Sequence, residues 1–162
     1  MLIIAPTKAG QGMDSRLRVW NLLVNRAKGG SSVRKVAIRT HQAPKPSGPY
    51  SQAIKVGGFV FTAGVVGVDP GSGELVSGGI RAQVRQTLEN IKAILEEAGT
   101  SSDNVIKVNT YLRDIGDFEA YNEVYSEYFD PDEPPARTTV QVGSFRDGRA
   151  VEIDVIAYVP KG

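Results

Sequence analysis

The 162-residue sequence contains no cysteine and a single histidine, His41. The absence of cysteine excludes disulfide bonds, zinc–thiolate sites and thiol nucleophiles. His41 lies in a Pro/Gly-rich loop without a nearby nucleophile pattern, so a serine–histidine triad is not expected and we interpret it as a solvated residue. No spaced cluster of carboxylates predicts a metal site.

Long apolar runs are also missing, and none approaches the ~18 residues that a membrane-spanning helix needs. The chain is therefore predicted to be soluble and globular, with a length of about one domain. Its charge is uneven: residues 1–35 hold seven bases and one acid, whereas the remainder holds twelve bases and seventeen acids, a net charge of about −5. An acidic body is poorly suited to nucleic acid, which we do not expect as a partner.

Residues 1–35 are predicted to form a basic N-terminal extension, and residues 36–162 the folded domain. Apolar residues at helical spacing in the extension allow a short amphipathic helix. We favour a flexible extension, because disorder concentrates at chain termini. The alternative is a transit-like or membrane-surface helix. We accordingly expect a cytoplasmic location, or a mitochondrial one if the extension is a transit peptide.

The hydrophobic pattern of the domain predicts the order β-β-β-α-β-α-β-β. Apolar residues alternate with period two in the strands and recur with period 3.6 in the two helices. Gly57-Gly58 predicts a hairpin turn, and Gly99 the end of the first helix. The pattern as a whole indicates an α+β fold, a mixed β-sheet with two helices packed on one face.

The last two strands are predicted to form a hairpin around Asp147-Gly148. Glu152 would then lie opposite about Gln141, four residues or ~13 Å from Arg137. A three- or four-carbon substrate is too short to bridge that distance. Either a bulge offsets the hairpin, or the two groups of one site come from neighbouring chains.

Three side chains remain as candidates for chemistry: Arg137, Glu152 and Tyr50. Arginine binds a carboxylate through two parallel hydrogen bonds and keeps its charge. A glutamate in a closed pocket can orient water or transfer a proton, and a tyrosine can close the rim of the pocket. A buried Arg137–Glu152 ion pair that ties the hairpin together is an equally weighted structural interpretation.

A series of motifs then identifies a resemblance over residues 36 to about 160. The sequence resembles the reactive intermediate (imine) deaminase family, also called the RidA or YjgF-like family. The motifs are Gly48-Pro49-Tyr50-Ser51-Gln52-Ala53, Phe61-Thr62-Ala63-Gly64, Arg81 with Gln83, Thr87-Leu88-Glu89-Asn90, Asn122-Glu123-Val124-Tyr125, Pro135-Ala136-Arg137-Thr138-Thr139-Val140 and Val151-Glu152-Ile153.

The resemblance implies a chorismate-mutase-like fold and a homotrimer with active sites between subunits. It also implies cofactor-free hydrolysis of 2-imino acids, such as 2-iminobutanoate and 2-iminopropanoate, to 2-keto acids and ammonia. Arg137 would clamp the substrate carboxylate, and Glu152 would position the attacking water and relay its proton. The implied pocket residues are Tyr50, Ala63, Gly64, Tyr111 and Thr139.

Two departures from the family pattern concern the last strands. Thr139 stands where some members carry a cysteine, and Phe145-Arg146 stands where Leu-Pro is usual. Two other functions stay open at this point. One is a non-catalytic 2-keto acid-binding or chaperone-like protein. The other, a ribonuclease or translation inhibitor, is disfavoured by the acidic body and the lack of a histidine pair.

Overall fold

A six-stranded mixed sheet organises residues 33–161, which are the residues that this computed structural model describes. The strand order is β1-β2-β3-β6-β4-β5, and all neighbours are antiparallel except β4 and β5, which are parallel. Residues 1–32 of the predicted extension lie outside the described residues. The strands are β1 Val36–Ile38, β2 Ala53–Val56, β3 Phe59–Thr62, β4 Val105–Leu112, β5 Ala136–Gln141 and β6 Val151–Tyr158, and the helices are α1 Gly79–Glu97 and α2 Phe118–Tyr125.

The core lies between one face of the sheet and the two helices. On β6 the apolar residues of the predicted alternation are buried, and α1 buries a stripe at helical spacing. The chain leaves α1 at Gly99, whose φ of 81° is left-handed and favours glycine. The predicted α+β fold and element order are confirmed. No helix within residues 33–161 is both long and apolar enough to cross a bilayer.

The predicted hairpin of the last two strands is wrong, because β4 lies between β5 and β6. The chain passes through α2 between β4 and β5, and such a crossover allows parallel pairing. β6 then pairs with the other edge of β4, so Glu152 lies opposite Tyr111 rather than Gln141. The Asp147-Gly148 turn does form, with φ of 56° and 72°, but in a loop that links two strands that are not neighbours.

Candidate functional site

Glu152 lies on β6, on the sheet face opposite the helices. Its neighbours Val151 and Ile153 point into the core, so the strand alternation turns Glu152 away from it. Val65 and Ile153 exchange backbone hydrogen bonds of 2.8 and 2.9 Å, which brings Gly64 against Glu152. A Cβ atom on Gly64 would lie 2.6 Å from Cδ of Glu152, so the carboxylate occupies space that only glycine leaves free.

A cavity of about 500 Å³ opens beside this carboxylate. Four of the residues predicted for the site line it, namely Tyr50, Ala63, Gly64 and Glu152. The phenol oxygen of Tyr50, whose side chain is about half exposed, accepts a hydrogen bond of 3.1 Å from the backbone N–H of Ser47. The cavity therefore lies between the 44–50 loop on one side and, on the other, Glu152 of β6 with residues 63–66, which follow β3.

Gln52 fixes the backbone from which that loop departs. Its side-chain amide donates to the carbonyl oxygens of Thr40, Ala43 and Pro44 at 2.9–3.1 Å. Its Oε1 accepts from the backbone N–H of Thr40 at 2.8 Å. Only 6% of Gln52 is exposed, so these bonds form in a largely dry setting. Sequence reasoning found Gln52 only as a motif residue and assigned it no task.

Tyr111 reaches Glu152 from another direction. A second hollow, of about 480 Å³, is lined by Tyr111, Gly64, Glu152 and Asp154 among others. Asp154 accepts a hydrogen bond of 2.9 Å from Asn109 across the sheet. Burial raises the pKa of Tyr111, and Asp154 raises it further. Four of the seven predicted site residues thus lie around the carboxylate of a fifth, Glu152.

The environment of Glu152 favours its protonated form more than water does. Burial raises its pKa above the ordinary 4.5; Arg149 opposes this increase and Asp154 adds to it. No base of the described residues lies within 4.0 Å of its carboxylate. A carboxylate with a raised pKa and no close counterion is suited to accept a proton from a bound water.

Arg137 lies on the helix side of β5, inside an aromatic cluster of α2. Its guanidinium carbon is 4.5 Å from the ring centre of Tyr125, 5.3 Å from that of Tyr121 and 5.6 Å from that of Phe118. Such cation–π contacts hold a guanidinium without neutralising it. Its Nη1 donates to Oδ1 of Asn122 at 2.8 Å. Arg137 is thus oriented and keeps its positive charge.

Two hydroxyl groups beside Arg137 can form further hydrogen bonds. The hydroxyl groups of Tyr125 and Thr139 are buried and have no partner within residues 33–161. Burial raises the pKa of Tyr125, so its phenol stays protonated and can donate. A buried polar atom without a partner is unusual and calls for one. These two hydroxyl groups, with the Arg137 N–H bonds that donate to no acceptor within residues 33–161, can bind an anion.

Arg137 and Glu152 of one chain do not meet. They project from opposite faces of the sheet, with β4 between their strands, level with Val108 and Tyr111 respectively. This separates them by about 10 Å across the strands and about 10 Å along them. The interpretation of a buried Arg137–Glu152 ion pair is therefore wrong. Offsetting a hairpin with a bulge is also ruled out, since the hairpin does not exist.

Two bases in the cavity were missed by sequence reasoning. Arg149 and Lys45 both line it, and neither belongs to a motif. The only indication of Arg149 in the sequence is that a basic residue stands three positions before Glu152. Basic residues are common in turns, so this position did not point to the site. His41 is exposed, as expected. In the part of the chain that the structure describes, no three His, Asp or Glu residues cluster as a metal site would require.

Comparison with known proteins places this geometry in a family context. Residues 40–159 match the family model described as endoribonuclease L-PSP. A RutC family protein of Pyrococcus abyssi is 53% identical over 124 residues, 76% of this chain and 97% of the relative. Human 2-iminobutanoate/2-iminopropanoate deaminase is 42% identical over 127 residues, 78% of this chain and 92% of the relative. The crystal structure of RidA from an Antarctic Psychrobacter species aligns with a TM-score of 0.73 and 44% identity, covering 76% of this chain and 99% of that one.

Proposed function

This chain belongs to the endoribonuclease L-PSP family, which is the RidA or YjgF-like family, and we propose that it hydrolyses 2-imino acids to 2-keto acids and ammonia. The observation that carries the proposal is the Glu152 carboxylate, which lines a cavity beside Gly64 and has no counterion within 4.0 Å among residues 33–161. The human relative at 42% identity bears the name of such a deaminase. Its substrates, 2-iminobutanoate and 2-iminopropanoate, are the first compounds to test.

The reaction consumes one water, and every proton that Glu152 accepts is passed on to the leaving nitrogen. Ionised Glu152 accepts a proton from the water as the water oxygen bonds to the imine carbon, and returns it to the nitrogen, which gives a carbinolamine. Glu152 then transfers the hydroxyl proton of the carbinolamine to the same nitrogen, so that the C–N bond breaks, ammonia leaves and the hydroxyl oxygen becomes the keto oxygen. An arginine that holds the substrate carboxylate fixes the imine carbon close to the water, and positioning of this kind supplies several kcal/mol.

The proposed arginine is Arg137 of a neighbouring subunit. Within one chain Arg137 and Glu152 lie on opposite sheet faces, too far apart for one small substrate. An assembly that places the β5 side of one subunit against the Glu152 cavity of the next would bring them together. A ring of three subunits, closed by one repeated contact, meets this requirement and agrees with the trimer that the family resemblance implies.

Replacement of Arg137 tests the proposal. Imino acids are produced in situ by an amino-acid oxidase, and semicarbazide traps what the protein has not hydrolysed. We expect the reaction with Arg137→Ala to give as much trapped imine as a reaction without the protein. The circular dichroism spectrum and the elution volume of the variant should stay those of the wild type. Arg146→Ala, which removes an exposed arginine of the 143–150 loop, serves as the control. Full activity of Arg137→Ala would refute the clamp.

Ligand binding without turnover is the competing function, since an arginine clamp serves it equally well. Glu152→Gln separates the two. For a deaminase, this variant still binds the product 2-oxobutanoate but no longer accelerates loss of the imine. For a binding protein, the wild type itself binds the keto acid and leaves the rate of imine loss unchanged.

A further inference from the structure

Arg149 is a second cation in the cavity of Glu152, and the proposed reaction does not use it. It is half-buried, and its charge lowers the pKa of Glu152, so it lies within electrostatic reach of that carboxylate. The two side chains form no ion pair within 4.0 Å. Within residues 33–161 its guanidinium has no hydrogen-bond partner either; its backbone N–H alone is bonded, to Arg146 O.

Lys45 adds a second positive charge to the same cavity. It is exposed, and its pairing with a carboxylate is not observed among the described residues. Against these two bases the cavity holds one acid, Glu152, and apolar side chains that include Val65, Val66 and Ile94. The cavity therefore has an excess of positive charge in partly apolar surroundings, where attraction of an anion is less screened than in water.

A monocarboxylic imino acid does not account for this excess. Its single carboxylate is assigned to Arg137, and the methyl or ethyl group that remains cannot accept a hydrogen bond from a guanidinium. At about 500 Å³ the cavity has room for a longer side chain. A guanidinium recognises a carboxylate through paired hydrogen bonds, so a second carboxylate on the substrate would supply the partner that Arg149 lacks.

We propose that Arg149, assisted by Lys45, selects 2-imino acids whose side chain ends in a carboxylate, such as 2-iminoglutarate. This inference rests on the proposed deaminase function. Arg149 acts here as a specificity-determining residue: it contacts the end of the substrate far from the imine, while Glu152 and the water act at the imine carbon.

The test compares two imino acids made in situ, 2-iminoglutarate and 2-iminobutanoate, in the trapping assay described above. The measured quantity is the ratio of kcat/KM for the two, because any effect of Arg149 on the pKa of Glu152 changes both rates alike and cancels. We expect the wild type to favour 2-iminoglutarate and Arg149→Ala to lower the ratio about tenfold or more. Arg149→Lys should retain part of the preference, and Arg146→Ala in the same loop should retain all of it.

Two results would overturn the inference while leaving the deaminase function intact. One is a wild type that hydrolyses 2-iminobutanoate but shows no preference for 2-iminoglutarate. The other is an Arg149→Ala variant that loses both activities equally, which would make Arg149 a general part of the site. If neither imine is hydrolysed, the deaminase function fails, and calorimetry with 2-oxoglutarate and 2-oxobutanoate then tests whether Arg149 recognises a second carboxylate. Tighter binding of 2-oxoglutarate that is lost in Arg149→Ala supports this recognition. Equal binding of the two keto acids rejects it.

Discussion

A methyl group added at Gly64 would occupy the space in which the carboxylate of Glu152 now lies. The backbone of Gly64 is not left-handed, so the expected effect comes from displacement of the carboxylate and not from backbone strain. Because misplacement of a reacting group by about 1 Å can cost 100-fold in rate, we expect Gly64→Ala to lower kcat by about that factor. The melting temperature should change little, since the end of a flexible side chain can move.

Gly143→Ala is the matched control for this change. A Cβ atom there would have no atom of residues 33–161 within 4 Å, and the backbone is likewise not left-handed. It should leave both kcat and the melting temperature unaltered. A fully active Gly64→Ala variant would show that the position of the Glu152 carboxylate does not limit the reaction.

The pH dependence of the reaction should report the surroundings of Glu152. Its ionised form accepts the proton, so kcat/KM should fall as the pH is lowered through its raised pKa. Asp154 contributes to the raised value through its negative charge. Asp154→Asn should therefore move the acid limb of the kcat/KM profile to lower pH, while its side-chain oxygen can still accept from Asn109. A limb that moves to higher pH, or not at all, would contradict this assignment.

For single residues, the sequence predicted which side chains can take part in a reaction better than it predicted which residues surround them. Tyr50, Gly64, Tyr111 and Glu152 were expected in one site, and the structure brings them together. Arg149 was overlooked because its role depends on a cavity whose other walls come from remote parts of the chain. Residue type and spacing identify what a side chain can do, but only the fold decides what it faces.

At the scale of the element, Gln52 shows how a single side chain can hold a loop. Gln52→Ala would leave the carbonyl groups of Ala43 and Pro44 without its donors in a largely buried setting. We expect the free energy of unfolding to fall by about 2 kcal/mol. We also expect KM to rise, since the 44–50 loop that carries Tyr50 loses its anchor. Denaturant unfolding and steady-state kinetics measure the two effects.

Gln42→Ala offers the control, because Gln42 is exposed in the same segment and its side chain makes no hydrogen bond to the part of the chain that the structure describes. It should change neither quantity appreciably. Loss of stability without a change in KM would mean that Gln52 supports the fold but does not shape the cavity.

Elements were predictable where the pattern is local. The strands and helices follow from periodicity, and Gly57-Gly58 and Gly99 have the left-handed φ values that their turns require. The pairing of β5 and β6 was not predictable in the same way. A turn signal between two strand patterns normally means a hairpin, and no local feature of residues 143–150 shows that β4 will take the place between them.

At the scale of the whole molecule, the two helices of residues 33–161 cover only one face of the sheet. Apolar side chains are exposed on it, with Phe59, Phe61 and Tyr158 each 42% accessible. Register pairs Phe59 with Tyr158 and Phe61 with Ile156, so these residues are contiguous. An exposed apolar patch of this kind marks an interaction surface. We propose that further copies of this chain cover it, in the assembly that the proposed function assigns to Arg137 and Glu152.

Coexpression of two inactive variants tests that assembly. In a trimer whose sites take Arg137 from one subunit and Glu152 from the next, random mixing of Arg137→Ala with Glu152→Gln regenerates about a quarter of the sites. We expect the mixture to show about a quarter of wild-type activity, although each variant alone is inactive. Mixing Arg137→Ala with the doubly substituted chain should restore nothing, because no subunit then supplies the arginine. A mixture as inactive as its components would mean that both groups of a site belong to one chain. That result would contradict the separation of Arg137 and Glu152 within one chain, about 10 Å across the strands and about 10 Å along them.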